Sequence, residues 1–68
     1  MYVVDIKLKE ILLKANLSER ELARRTGIRQ ATINSMCNNE VKLVSLKNVA
    51  AICEVLDVDI NDLLILHK

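Results

Sequence analysis

Residues 17 to 39 read LSERELARRTGIRQATINSMCNN, and this stretch decides the architecture. Ser18 stands where a helix N-cap belongs and Glu21 follows three residues later, the spacing of a full capping box. Leu17 before the cap and Leu22 at the fourth helical position form a hydrophobic staple across the same start. Gly27 closes this helix, where the chain commonly needs a positive φ. A second helix follows at once. At about 100° per residue its Gln30, Ala31, Asn34, Ser35 and Asn38 fall within roughly 140° of one another. Ile33 and Met36 point the opposite way, with Cys37 on the border. The pair therefore reads as helix, tight turn, helix, with one apolar side and one polar, almost uncharged side.

Outward from this unit the chain is aliphatic and helical. It has 68 residues, 51% of them hydrophobic, with a single aromatic (Tyr2), one glycine and no proline. A mean hydropathy of +0.21 argues for a real core. That core must be built of Leu, Ile, Val and Ala. A domain this small buries only about 60% of its unfolded surface, so its stability margin is thin. A first helix is expected after Asp5 as N-cap, with Leu8, Ile11, Leu12 and Ala15 as its stripe and Asn16 as its end. The staple spacing recurs at Val44, Ser45 and Val49, opening a fourth helix, and at Val58, Asp59 and Leu63, opening a short fifth. The fourth is expected to bury Leu46, Val49, Ala50, Ile52, Cys53 and Leu56. The apolar ends, Tyr2-Val3-Val4 and Leu64-Ile65-Leu66, are too short for helices. Either they pair as two antiparallel strands, which satisfies their backbones, or Ile65 and Leu66 meet a second copy of the chain.

Composition also excludes. No apolar run approaches the roughly 18 residues of a membrane span, and no signal-peptide pattern opens the chain, so a cytoplasmic protein without a membrane partner is expected. Cys37 and Cys53 lack metal-ligand spacing and read as free thiols of a reducing compartment, and His67 is a lone, solvated histidine. No nucleophile–base pair, cleft carboxylates or glycine-rich loop suggests an enzyme, a metal or a cofactor. Net charge is only +1, but residues 1–39 carry +3 and residues 40–68 carry −2, so the basic side chains gather around the two-helix unit.

Solvent-facing helix surfaces ordinarily favour Lys and Glu, whereas Gln, Asn and Ser cost helix propensity without adding charge. These amides do suit base edges. Gln or Asn pairs bidentately with adenine, and Ala packs on a thymine methyl. Arg29, at the start of the third helix, opposes the helix dipole, a conflict that a nearby phosphate removes. Arg20, Arg24 and Arg25, with Lys42 beyond the third helix, flank the polar face and are candidates to hold a phosphate backbone.

With these features the chain resembles the Cro/cI repressor type of helix-turn-helix domain, the XRE family, from about Leu8 to Leu64. The resemblance rests on Leu22-Ala23, Gly27, Ile28, Ile33 and Met36 at the family spacing, on Asn38-Asn39 as the helix ending, and on two closing helices from Ser45 to Leu64. It implies an all-α, five-helix, lambda-repressor-like DNA-binding domain over residues 1–68, with the motif at about 18–38 and a short pairing of the terminal segments. It implies a DNA-binding regulator, usually a repressor acting as a homodimer on double-stranded DNA. By position it places base contacts on Gln30, Ala31, Asn34 and Ser35 and phosphate contacts on Arg29, Thr32 and Asn38. The chain departs from the family at Glu19, where Gln is common, and at Leu12, where a basic residue often stands. A different class of function on the same fold is a protein-interaction module, such as an antitoxin or a coactivator-type adaptor.

Overall fold

A computed structural model describes residues 1–68. The chain runs β1 (Val3–Ile6), α1 (Leu8–Ala15), α2 (Glu19–Thr26), α3 (Gln30–Cys37), α4 (Leu46–Leu56), α5 (Ile60–Leu63) and β2 (Leu64–His67). Five helices thus enclose the core, and the two ends of the chain form one antiparallel pair in which Val3 faces His67 and Ile6 faces Leu64.

Local signals explain most of the boundaries. Ser18 Oγ accepts the Glu21 N–H at 3.0 Å and Ser45 Oγ the Asn48 N–H at 3.3 Å. Asn16 (φ 55°), Gly27 (φ 77°) and Asp57 (φ 54°) end α1, α2 and α4 in the left-handed region. The predicted box at Ser18 is only half formed. Glu21 does not reach back to Ser18, because its carboxylate is engaged by Arg24 and Arg25 on the next turn.

Asp5 is not the cap of α1. It lies in β1, and the helix starts after Lys7, whose N–H donates to Leu63 O at 2.8 Å. Strand pairing carries the extended backbone too far for Asp5 to cap; its carboxylate instead meets Lys7 Nζ at 3.0 Å and His67 Nε2 at 3.5 Å. Lys7 is the leading cause holding Asp5 below the usual carboxylate range, with His67 adding to it.

Leu8 and Leu12 of α1, Leu22 of α2, Ile33, Met36 and Cys37 of α3, Val49 and Ile52 of α4, and Leu63 of α5 converge in one aliphatic core with Ile6 and Ile28, and no polar side chain is buried there. Each fully buried Leu or Ile contributes about 1.5–3 kcal/mol relative to exposure. Ile11, Leu17, Ala23, Cys53 and Leu56 pack half-buried against it. The expected stripes are narrower than read. Ala15 and Ala50 are exposed, and Leu46 is 82% exposed beside a 92% exposed Leu43. Leu43 and Leu46 project to solvent at the end of the loop after α3 and the first residue of α4, while Val41 and Val49 on either side of them pack against the core. Periodicity alone could not show this, because it ranks residues by angle and not by position along the axis.

The terminal ribbon is anchored to α3. Asn39, just beyond that helix and itself left-handed (φ 58°), accepts the Ile6 N–H through Oδ1 at 2.7 Å and donates through Nδ2 to the Ile6 carbonyl at 3.2 Å. Both backbone groups of Ile6 therefore point away from β2, and one side chain acts as a stub of third strand on the open edge of β1.

Candidate nucleic-acid interface

Helix α3 rests on α1 and α2, and the chemistry of its two sides follows from that contact. Ile33, Met36 and Cys37 face inward and are buried. The opposite side presents Gln30, Ala31, Asn34 and Asn38 to solvent, with Thr32 and Ser35 half-buried at its margins. The turn before it is held by Thr26, whose hydroxyl donates to Leu22 O at 2.8 Å and accepts the Ile28 N–H at 3.2 Å. Arg29 occupies the N-cap position with no side-chain capping bond, so the start of α3 keeps unsatisfied N–H groups beside an exposed cation.

The five cations that are candidates to hold phosphates divide into two groups. Arg24 clasps Glu21 through both Nε and a terminal nitrogen, and Arg25 Nε reaches the same carboxylate at 3.1 Å. The two guanidinium groups, Arg24 first, pull the Glu21 carboxyl down to about 2. Arg20, Arg29 and Lys42 are exposed and take part in no ion pair. The α2 cations are thus already neutralised in part, and the uncommitted ones lie on α2, at the start of α3 and in the loop that follows it.

Leu12 takes the core place that its apolar stripe predicts, whereas Glu19 gains a role that the sequence alone does not disclose. Leu12 is only 4% exposed, so that position belongs to the core and not to the polar surface. Glu19, half-buried at the start of α2, accepts a hydrogen bond from Asn34 Nδ2 at 3.1 Å, and Asn38 Nδ2 donates to Asn34 Oδ1 at 3.3 Å. Cys37, one turn beyond Asn34, has its thiol pushed up to about 11, first by burial and then by the Glu19 charge. Only the packing of α2 across α3 brings Glu19 to Asn34, fifteen residues away in sequence.

The Cro/C1-type HTH DNA-binding domain family matches residues 7–68. Among solved structures, a Bacteroides fragilis protein assigned a DNA-binding role is similar at 27% identity and a TM-score of 0.81, over 91% of this chain and 98% of that one. The transcriptional regulator VanUg is similar at 29% identity and a TM-score of 0.78, over 98% of this chain and 88% of that one. The SinR protein/SinI protein complex shares the fold at 23% identity and a TM-score of 0.76, over 82% of this chain and 54% of that one. No protein of curated function matches the chain. No helix is long and apolar enough to cross a membrane.

Proposed function

This chain belongs to the Cro/C1-type helix-turn-helix DNA-binding domain family, and from that premise we propose that it is a sequence-specific transcriptional regulator, a repressor, that binds double-stranded DNA as a homodimer. The observation that carries the reading is the outward face of α3, where the amides of Gln30, Asn34 and Asn38 and the methyl of Ala31 stand exposed, with the half-buried Ser35 at the margin, over a buried Ile33-Met36-Cys37 floor. In this reading Gln30, Ala31, Asn34 and Ser35 contact base edges in the major groove. Arg29, Thr32, Asn38, Arg20 and Lys42 hold phosphates, and Arg24 does so only by sharing its guanidinium with Glu21. One such helix spans few base pairs, so two copies on half-sites about 34 Å apart supply the needed specificity. The whole 1–68 stretch acts as one unit, in the cytoplasm.

The test is selection of duplexes from a random pool, followed by titration of a selected and a scrambled duplex at two salt concentrations. Selective binding that weakens with salt is expected, and the salt slope should fall by about one on replacing Arg20 or Arg29 with Ala and by less for Arg24→Ala. No binding above background at low salt overturns the proposal.

Exposed Leu13, Leu43 and Leu46 favour a second reading, a protein-interaction module such as an antitoxin or coactivator-type adaptor. Replacing Gln30 and Asn34 with Ala separates the two. Loss of DNA binding in a folded variant supports the regulator, whereas an unchanged DNA-linked activity supports the adaptor.

A further inference from the structure

We propose that Glu19 is a specificity-determining positioning residue, which fixes the amide of Asn34 so that it selects adenine over guanine. The inference rests on the DNA-reading role proposed above for α3. It starts from the chain of contacts Glu19 Oε1, Asn34 and Asn38, with Asn34 Nδ2 donating at 3.1 Å and Asn34 Oδ1 accepting at 3.3 Å.

A carboxylate accepts and does not donate, so Glu19 dictates which end of the Asn34 amide faces α2. Asn34 has two N–H donors and two carbonyl lone pairs. Glu19 takes one donor and Asn38 takes one lone pair, leaving one N–H and one acceptor site for a ligand. In the major groove adenine presents the acceptor N7 and the donor N6–H, the complement of what remains. Guanine presents two acceptors, N7 and O6, which an asparagine satisfies only with both of its N–H groups, and one of these is held by Glu19. The acid at this position thus has a specific use. It gives up some attraction for the backbone and removes the guanine-compatible mode of Asn34. Asn34 is exposed and Glu19 half-buried, so the reading edge is open and its support lies at the solvent-facing seam where α2 packs on α3.

The experiment uses the full chain and a duplex selected from a random pool by the unaltered protein. At each base pair adenine is exchanged for guanine, and the position whose preference collapses in Asn34→Ala is taken as the one read by Asn34. The ratio of dissociation constants for guanine and adenine at that position is then measured for Glu19→Met and Glu19→Gln. Glu19→Met keeps length and helix propensity but removes the acceptor, and Glu19→Gln keeps an acceptor but removes the charge. A good bidentate pair discriminates by about 5- to 150-fold. Glu19→Met is expected to lower the ratio by about tenfold while strengthening binding to unselected DNA, and Glu19→Gln to lower it by no more than about threefold. The proposal is overturned if Glu19→Met leaves the ratio unchanged, or if both variants lower it equally, since charge and not hydrogen bonding would then be responsible. Failure of the unaltered protein to select any duplex overturns the DNA-reading role itself, a result distinguishable from both.

Discussion

Replacing Asn39 with Gly should destabilise the fold far more than an exposed loop position suggests. The side chain makes two hydrogen bonds to the backbone of Ile6, at 2.7 and 3.2 Å, across a partly buried junction. A hydrogen bond contributes about 0.5–1.5 kcal/mol net, so the clasp amounts to about 1–3 kcal/mol. Glycine accepts the φ of 58° without strain, which isolates the clasp from any backbone penalty, although its freedom in the unfolded chain adds about 0.4–1 kcal/mol. A loss of about 2–3 kcal/mol corresponds to a Tm lower by about 10–20 °C in a domain of this size. Urea and thermal unfolding followed by circular dichroism measure it. Amide exchange of Ile6 locates it, because its N–H loses its acceptor while β1 and β2 remain paired. Asn39→Asp retains the acceptor for Ile6 N–H but sets a lone pair against the Ile6 carbonyl, and should lie below the unaltered protein as well. A Tm for Asn39→Gly within about 2 °C of the unaltered protein, or unchanged protection of the Ile6 amide, refutes the argument that this side chain closes the edge of β1.

Two further outcomes follow from the titrating groups. Glu21 is held at about 2 against an ordinary 4.5, so its pairing with Arg24 and Arg25 stabilises the fold fully above the ordinary value and is lost as pH falls from about 4.5 towards 2. The stability difference between the unaltered protein and Glu21→Gln should therefore be constant near neutrality and shrink across that acid window in urea titrations; a difference that persists undiminished below it contradicts the ion pairs. Cys37 is 5% exposed and its thiol is pushed up to about 11, and burial likewise raises the half-buried Cys53, so neither forms appreciable thiolate at neutral pH. Mass spectrometry after iodoacetamide treatment should find Cys37 unmodified in the folded protein and alkylated in urea; alkylation of folded Cys37 at the rate of a free thiol contradicts the burial.

Sequence by itself determined what depends on near neighbours. The helix starts at Ser18, Ser45 and Asp59, the stops at Asn16 and Gly27, and the inward Ile33 and Met36 against outward Gln30, Ala31 and Asn34 are all set by spacings of three or four residues, within which caps form and helix faces repeat. The antiparallel terminal pair was one of two readings open to the sequence, because two apolar segments too short for helices can share their backbone groups with each other or meet a second copy, and the fold formed the pair. Tertiary structure decided where side chains compete for partners. Glu21 could cap Ser18 or pair with arginines, and Arg24 and Arg25 one turn away took it. Asp5 could cap α1 or join a strand, and the return of β2 placed it in the strand. Leu46 lies on the apolar stripe by angle, yet at the first residue of α4 it projects to solvent, while Val49 three residues on is buried. The Glu19–Asn34 and Asn39–Ile6 contacts join residues 15 and 33 positions apart. Local spacing carries no information about such pairs, because only the crossing of packed elements sets the distance between them.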